Sequence, residues 1–167
     1  QKEVVATAEE VEDTVTQICL VDAKMIDEKA KAAGLYSKTF NADAFAHETR
    51  QMVIDEAKKS GKKFDLVIYS LASSVRTDPD TKQVYQSVVK AQKTYYSGWG
   101  INILQDCLMD GESEPATEED IFNTVKVMGG EDWERWIKQL SEAGVLAEGC
   151  RTVAYSYIGP SLSHPIY

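Results

Sequence analysis

The stretch that most restricts the fold is Phe64-Asp-Leu-Val-Ile-Tyr-Ser-Leu71. It is nearly continuously apolar and β-branched, without the alternation of a strand that keeps one face in water. A strand of that kind is covered on both faces, as in a parallel sheet flanked by helices. Strand-like and helix-like runs alternate around it, so the expected class is an α/β layered domain.

The C-terminal third supplies the strongest helix signals. Thr117 followed by Asp120 is a capping-box-like start, and Ile121, Val125 and Met128 recur at helical spacing until Gly129-Gly130 ends the run. A second helix carries Trp133, Trp136, Ile137 and Leu140 on one face, with Glu131 and Arg135 four apart on the other, and stops at Gly144. Thr152 to Tyr157 reads as a strand broken by Gly159-Pro160.

Upstream, residues 1–17 are acidic and loosely helical, and Ile18 to Val21 is a short strand or the buried end of that helix. Asp22 opens a helix that Gly34 closes. Leu35 to Phe40 is expected as a strand. A helix is expected from Asp43, its cap, to Lys59, with Phe45, Met52, Val53 and Ala57 facing inward. Residues 73–82 form a polar turn region. Gln83 to Val89 is expected to pair with Ile101 to Leu108 through the aromatic connection Tyr95 to Trp99, before an acidic linker, Glu112 to Pro115.

At 167 residues the chain suits one domain with a real core. A net charge of −9 disfavours nucleic acid or an anionic membrane as the main partner. No run of about 18 apolar residues exists to span a bilayer. The three cysteines, Cys19, Cys107 and Cys150, are widely spaced and read as reduced thiols of an intracellular protein. With only His47 and His164 as histidines, no metal site is expected. The acidic opening is not a signal or transit sequence, and a start at Gln1 fits a presequence already removed.

Several longer segments, VKVMGGEDWERWIKQLSEAGVLAEG, TVAYSYIGPSLSHPIY, KAAGLYSKTFNADAF, FDLVIYSLAS and RTDPDTKQVY, resemble the trans-2-enoyl-CoA reductases. That resemblance spans roughly Met25 to Tyr167 and implies a doubly wound, Rossmann-like fold that reduces the double bond of an enoyl thioester with NADH. It places Tyr167 at the family's catalytic tyrosine, the proton donor that opens a Tyr-x8-Lys motif. Asp43 and Ala44 match a pair at the adenine end of the cofactor, Leu71 and Ala72 a pair beside the nicotinamide ribose, and Tyr157 a substrate-contacting tyrosine. Each also has a local reading: Asp43 as a helix cap, Leu71-Ala72 as a strand end, Tyr157 as packing at the sheet margin.

Two features depart from the family pattern. The lysine of the Tyr-x8-Lys motif falls past Tyr167. The glycine-rich turn that holds the cofactor pyrophosphate has no counterpart between Gln1 and Ala33, because the ten glycines begin at Gly34. The expected fold is therefore a partial Rossmann-like, three-layer α/β domain lacking the first glycine-rich βα unit, with a β-hairpin insertion. Residues 1–23 are expected as a divergent acidic segment and 24–167 as the truncated reductase-like domain. Loss of a central strand leaves open sheet edges and bare apolar faces. The expectation is a non-catalytic subunit, without cofactor, held by other protein subunits of a larger assembly. The resemblance to eukaryotic members implies a mitochondrial setting for it, with a respiratory complex as one candidate host and the cytoplasm as the alternative location. Two alternatives stand beside this: an active NADH-dependent reductase completed by another chain or further segments, and a module that binds acyl-CoA or nucleotide without chemistry.

Overall fold

The computed structural model describes residues 24–71, 73–102 and 104–155. The chain divides into two compact units, Gln1–Asp43 and Ala44–Tyr167. In the first, residues 24–32 form helix α1, closed by Gly34 in the left-handed region at φ +69°. The strand expected over Leu35–Phe40 is absent: these residues have no ladder partner among the described residues. Side chains hold the segment instead, as Ser37 Oγ and Thr39 Oγ1 both donate to Asp27 Oδ1, at 2.5 and 3.3 Å.

The second unit runs α2 (His47–Ser60), β1 (Phe64–Tyr69), β2 (Val75–Thr77), β3 (Val84–Gln86), β4 (Tyr96–Asn102), β5 (Cys107–Ser113), α3 (Glu118–Met128), α4 (Glu131–Glu142) and β6 (Leu146–Ala154). β1 and β6 are parallel neighbours, with Leu66 opposite Arg151 and Tyr69 opposite Ala154. Their register jumps between Phe64 and Leu66, where β6 takes up extra residues around Gly149 at φ +73°. Helices α2 and α4 meet this sheet in one core built on Ile54, Ala57, Leu140 and Val145, with Phe64, Val67 and Trp136 packed against it. Only one face of β1 is covered: Leu66 and Ile68 are exposed, and no third strand joins either edge among the described residues. The apolar run correctly marked a parallel strand, but the second cover it anticipates is not supplied here.

The remaining strands depart from expectation. Gln83–Val89 does not pair with Ile101–Leu108; two separate hairpins form, β2 with β3 and β4 with β5. The polar stretch 73–82 is itself half of a hairpin. Asp78 Oδ1 accepts from the backbone N–H of Asp80 and Thr81, at 2.9 and 3.0 Å, which closes the turn. Within this polar stretch the Arg76 side chain is buried, donating to the carbonyl of Lys126 and to Glu131 Oε2 at 2.5 and 2.9 Å. The Tyr95–Trp99 stretch is mostly strand rather than connection, and β5 runs into the expected linker.

Helix α2 begins three residues past the expected cap. Ala46 is its N-cap, with extended backbone and no side-chain bond. Phe45 is buried and the Ala44 carbonyl accepts from Trp136 Nε1 at 3.1 Å, and these anchors hold residues 44–45 in a turn ahead of the helix. The Thr117–Asp120 capping box of α3 is present in both directions. Its buried side chain is Val127, whereas Val125 and Met128 are exposed. Gly130, at φ +92°, makes the turn into α4. Strand β6 starts at Leu146, ahead of the expected Thr152. Among the described residues no helix is long and apolar enough to cross a membrane.

Candidate functional site

A cavity of about 350 Å³ lies along β1. Its walls include Val53 of α2, Leu66 to Tyr69 of β1, Ser70 and Leu71 just beyond, and Trp136 and Leu140 of α4. Ala44 closes it, held by the bond from Trp136. Two of the sequence-designated cofactor positions, Ala44 and Leu71, thus come together although 27 positions separate them in the chain (71 minus 44). Asp43 is exposed and belongs to the first unit. Ala72, Tyr157 and Tyr167 lie outside the described residues.

Beside the cavity sits a charged cluster that sequence reasoning did not single out. Arg50 on α2 and Asp132 in the first turn of α4 are both fully buried, and Arg50 Nη1 donates to Asp132 Oδ1 at 2.8 Å. The Tyr69 phenol, at the end of β1, donates to the other carboxylate oxygen at 3.1 Å. Arg50 Nη2 donates to His47 Nδ1 at 3.2 Å. Because a guanidinium only donates, His47 carries its proton on Nε2 in this arrangement and donates it to Asp80 Oδ1 at 2.7 Å. Arg135 closes the outer side, bonding Asp80 and Asp78 at 2.8 and 3.2 Å. His47 is therefore a link in a chain of bonds from Asp80 to Tyr69.

A signal for this cluster was present. Arg50 stands at helical spacing from Ile54 and Ala57, and Asp132 from Trp136 and Leu140, so each is a charge on a buried stripe. Desolvation is the dominant influence. Burial pushes the Asp132 carboxyl up, with Arg50 pulling back, and burial together with Asp132 pushes the Tyr69 phenol well above its usual range. Tyr69 is thus a persistent neutral donor, suited to holding the end of β1 and unsuited to acting as a phenolate.

The outer carboxylates behave oppositely. Burial alone would raise Asp78 and Glu131. For Asp78 the N–H groups of Thr81 and Asp80 and Arg135 outweigh it, and for Glu131 Arg76 and Lys126 do so, leaving both below their usual values. The bond from His47 does the same to Asp80, and the ammonium of Lys90 does so to Asp120. Groups depressed in the folded state stabilise it above their unfolded values near pH 4, and lose that contribution as pH falls through the folded values. Asp132 has the opposite sign, since its folded form holds the proton more tightly. With four carboxylates against one, the urea midpoint is expected to fall once the pH drops below about 5, where the unfolded carboxylates begin to protonate, and to keep falling toward pH 3. Tyr69 adds a loss above about pH 10, where the unfolded phenol ionises first. A midpoint that is flat or rising on acidification would refute this balance.

The profile of the family described as the trans-2-enoyl-CoA reductase catalytic region matches residues 14–167. This chain belongs to that family. Over 141 residues it is 55% identical to a trans-2-enoyl-CoA reductase (NADH) of Treponema denticola, covering 84% of this chain and 36% of that protein. An enoyl-[acyl-carrier-protein] reductase (NADH) of Shewanella baltica is 53% identical over the same number of residues, 35% of its length. The crystal structure of the Treponema denticola trans-2-enoyl-CoA reductase in complex with NAD superposes with a TM-score of 0.79 at 54% identity, over 85% of this chain and 36% of that one. The α/β fold is therefore a partial version of the reductase fold, and the chain spans about a third of the length of these relatives.

The cavity fits only part of a dinucleotide. Its lining is overwhelmingly apolar, with Tyr69 and Ser70 as its polar side chains, which suits a ring or ribose face. It offers no cation and no glycine for a pyrophosphate to approach. Among the described residues no cluster of His, Cys, Asp and Glu is placed to hold a metal ion.

Proposed function

We propose that this chain is part of an NADH-dependent trans-2-enoyl-CoA reductase and forms one wall of its cofactor site, with further polypeptide supplying the pyrophosphate cradle. The meeting of Ala44 and Leu71 in one apolar cavity, in a member of this family, is what supports it most. When bound, the nicotinamide supplies hydride to the β-carbon of an enoyl thioester. The chain's part is to present Ala44, Leu71 and Trp136 as an apolar surface and to exclude water there. The Arg50–Asp132–Tyr69 cluster fixes the end of β1 on which that surface depends. The resemblance assigns Tyr167 the proton for the α-carbon, which completes saturation of the bond.

The test uses the native polypeptide or assembly that contains this chain, given NADH and crotonyl-CoA while the nicotinamide absorbance is followed. Steady oxidation is expected, and Tyr167→Phe should slow it by about a hundredfold or more, the scale of a lost general acid. Among the described residues no third strand joins the β1–β6 sheet, which favours a second reading, in which the chain is a non-catalytic subunit of a larger, mitochondrial assembly. Absence of turnover, with no calorimetric heat for NADH or acyl-CoA, would select that reading. Heat without turnover would select a binding module.

A further inference from the structure

The β4–β5 hairpin is a two-stranded sheet of its own, hydrogen-bonded to no other strand among the described residues. In its register Ile101 faces Leu108, Trp99 faces Asp110 and Ser97 faces Glu112, so these six side chains share one face. Trp99 is 74% exposed, Ile101 71% and Leu108 67%, while Leu104 in the turn is 98% exposed. An isolated hairpin is marginal in water, and one that shows water a tryptophan and two aliphatic side chains calls for a cover. The surrounding charge is of one sign. Residues 95–115 contain Asp106, Asp110, Glu112 and Glu114 and no Lys, Arg or His. The Glu112 carboxylate beside Tyr95 pushes its phenol up, which places the two together at the rim.

We infer that the Trp99–Ile101–Leu108 face is a docking surface for another protein that presents an apolar groove rimmed by lysine or arginine. Charge complementarity makes the choice of occupant. A second copy brings a net charge of −9 to an already acidic rim. The chain's own residues 1–23 carry Glu3, Glu9, Glu10, Glu12, Asp13 and Asp22 against Lys2 alone, and they are repelled for the same reason. Trp99 at the centre of the patch, with carboxylates around it, has the arrangement of an interface anchor and its polar rim. Seven-residue strands about 24 Å long make a face too small for a stable flat interface of about 800 Å² per partner. The hairpin is therefore expected to insert into a groove rather than lie on a surface.

A photoreactive benzoylphenylalanine placed at Leu104 in the full chain, within its native assembly, reports what covers the hairpin. The expected product is a cross-link to one segment of another protein, apolar and flanked by Lys or Arg, with no comparable product from the same probe at Lys58. Trp99→Ser combined with Ile101→Ser should lower its yield at least about tenfold, the cost of losing an interface anchor. Asp110→Lys combined with Glu112→Lys lies on exposed positions that leave the fold intact, and should lower the yield about fivefold by reversing the rim. Cross-links to a second copy, to residues 1–23 or to another part of the same polypeptide would overturn the proposal. So would no cross-link, an acidic partner segment, an unchanged yield after charge reversal, or flotation of the chain with phosphatidylcholine vesicles that the Trp99 variant abolishes.

Discussion

Asp132→Ala is expected to destabilise the chain by about 3–5 kcal/mol, because it leaves the Arg50 guanidinium buried without a counter-charge. The Tyr69 phenol loses its acceptor at the same time, and Arg50 Nε already lacks one among the described residues. A domain of this size has about 5–15 kcal/mol in hand, so the variant should unfold at a far lower urea concentration with little change in slope. Asp132→Asn separates charge from shape. It keeps an acceptor for Tyr69 or Arg50 and should cost less than the alanine. Combining Asp132→Leu with Arg50→Met removes both charges, and should recover most of the loss, since replacing a whole buried pair by apolar groups is close to neutral. If the double variant is as unstable as Asp132→Ala, the penalty lies in packing and the electrostatic account fails.

The parts of the fold that sequence shows are those set by neighbours within a few positions. The Thr117 cap, the Trp136–Leu140 stripe of α4 and the apolar strand at β1 each follow from local spacing, and each is present. Pairing is not local. The polar stretch 73–82 conceals a buried Arg76, because nothing nearby in sequence announces that Glu131 and the end of α3 will close over it. The same limit hid the hairpins, one closed by the Asp78 turn and the other set by pairing of Tyr96–Asn102 with Cys107–Ser113. Resemblance, not spacing, brought Ala44 and Leu71 forward. Their meeting is legible only in the fold, where Trp136 of α4 holds the Ala44 carbonyl and lines the same cavity as Leu71. The Arg50–Asp132 pair is 82 positions apart, and only the misplaced charge on each apolar stripe hinted that the two would find one another.

Trp136→Ala is expected to be the other severe substitution, at about 3–5 kcal/mol. Trp136 does three things at once: it packs on the core of Ile54 and Leu140, lies 5.8 Å from the Arg50 guanidinium, and donates to the Ala44 carbonyl. Its removal widens the cavity and releases the segment that leads into α2. Trp136→Phe retains most of the ring and loses only the donor, so about 1 kcal/mol is expected for the unpaired carbonyl of Ala44. The two variants separate packing from position. Hydrogen exchange at residues 44–46 should rise in both, because the tether to α4 is gone in both, while the urea midpoint should fall steeply only in the alanine variant. Within the reductase reading, a phenylalanine variant that stays folded but binds NADH several-fold more weakly would mean that Ala44 acts through its placement. Unchanged binding would mean that the cavity wall tolerates a loose Ala44, and the cofactor's grip must then come from elsewhere in the longer fold.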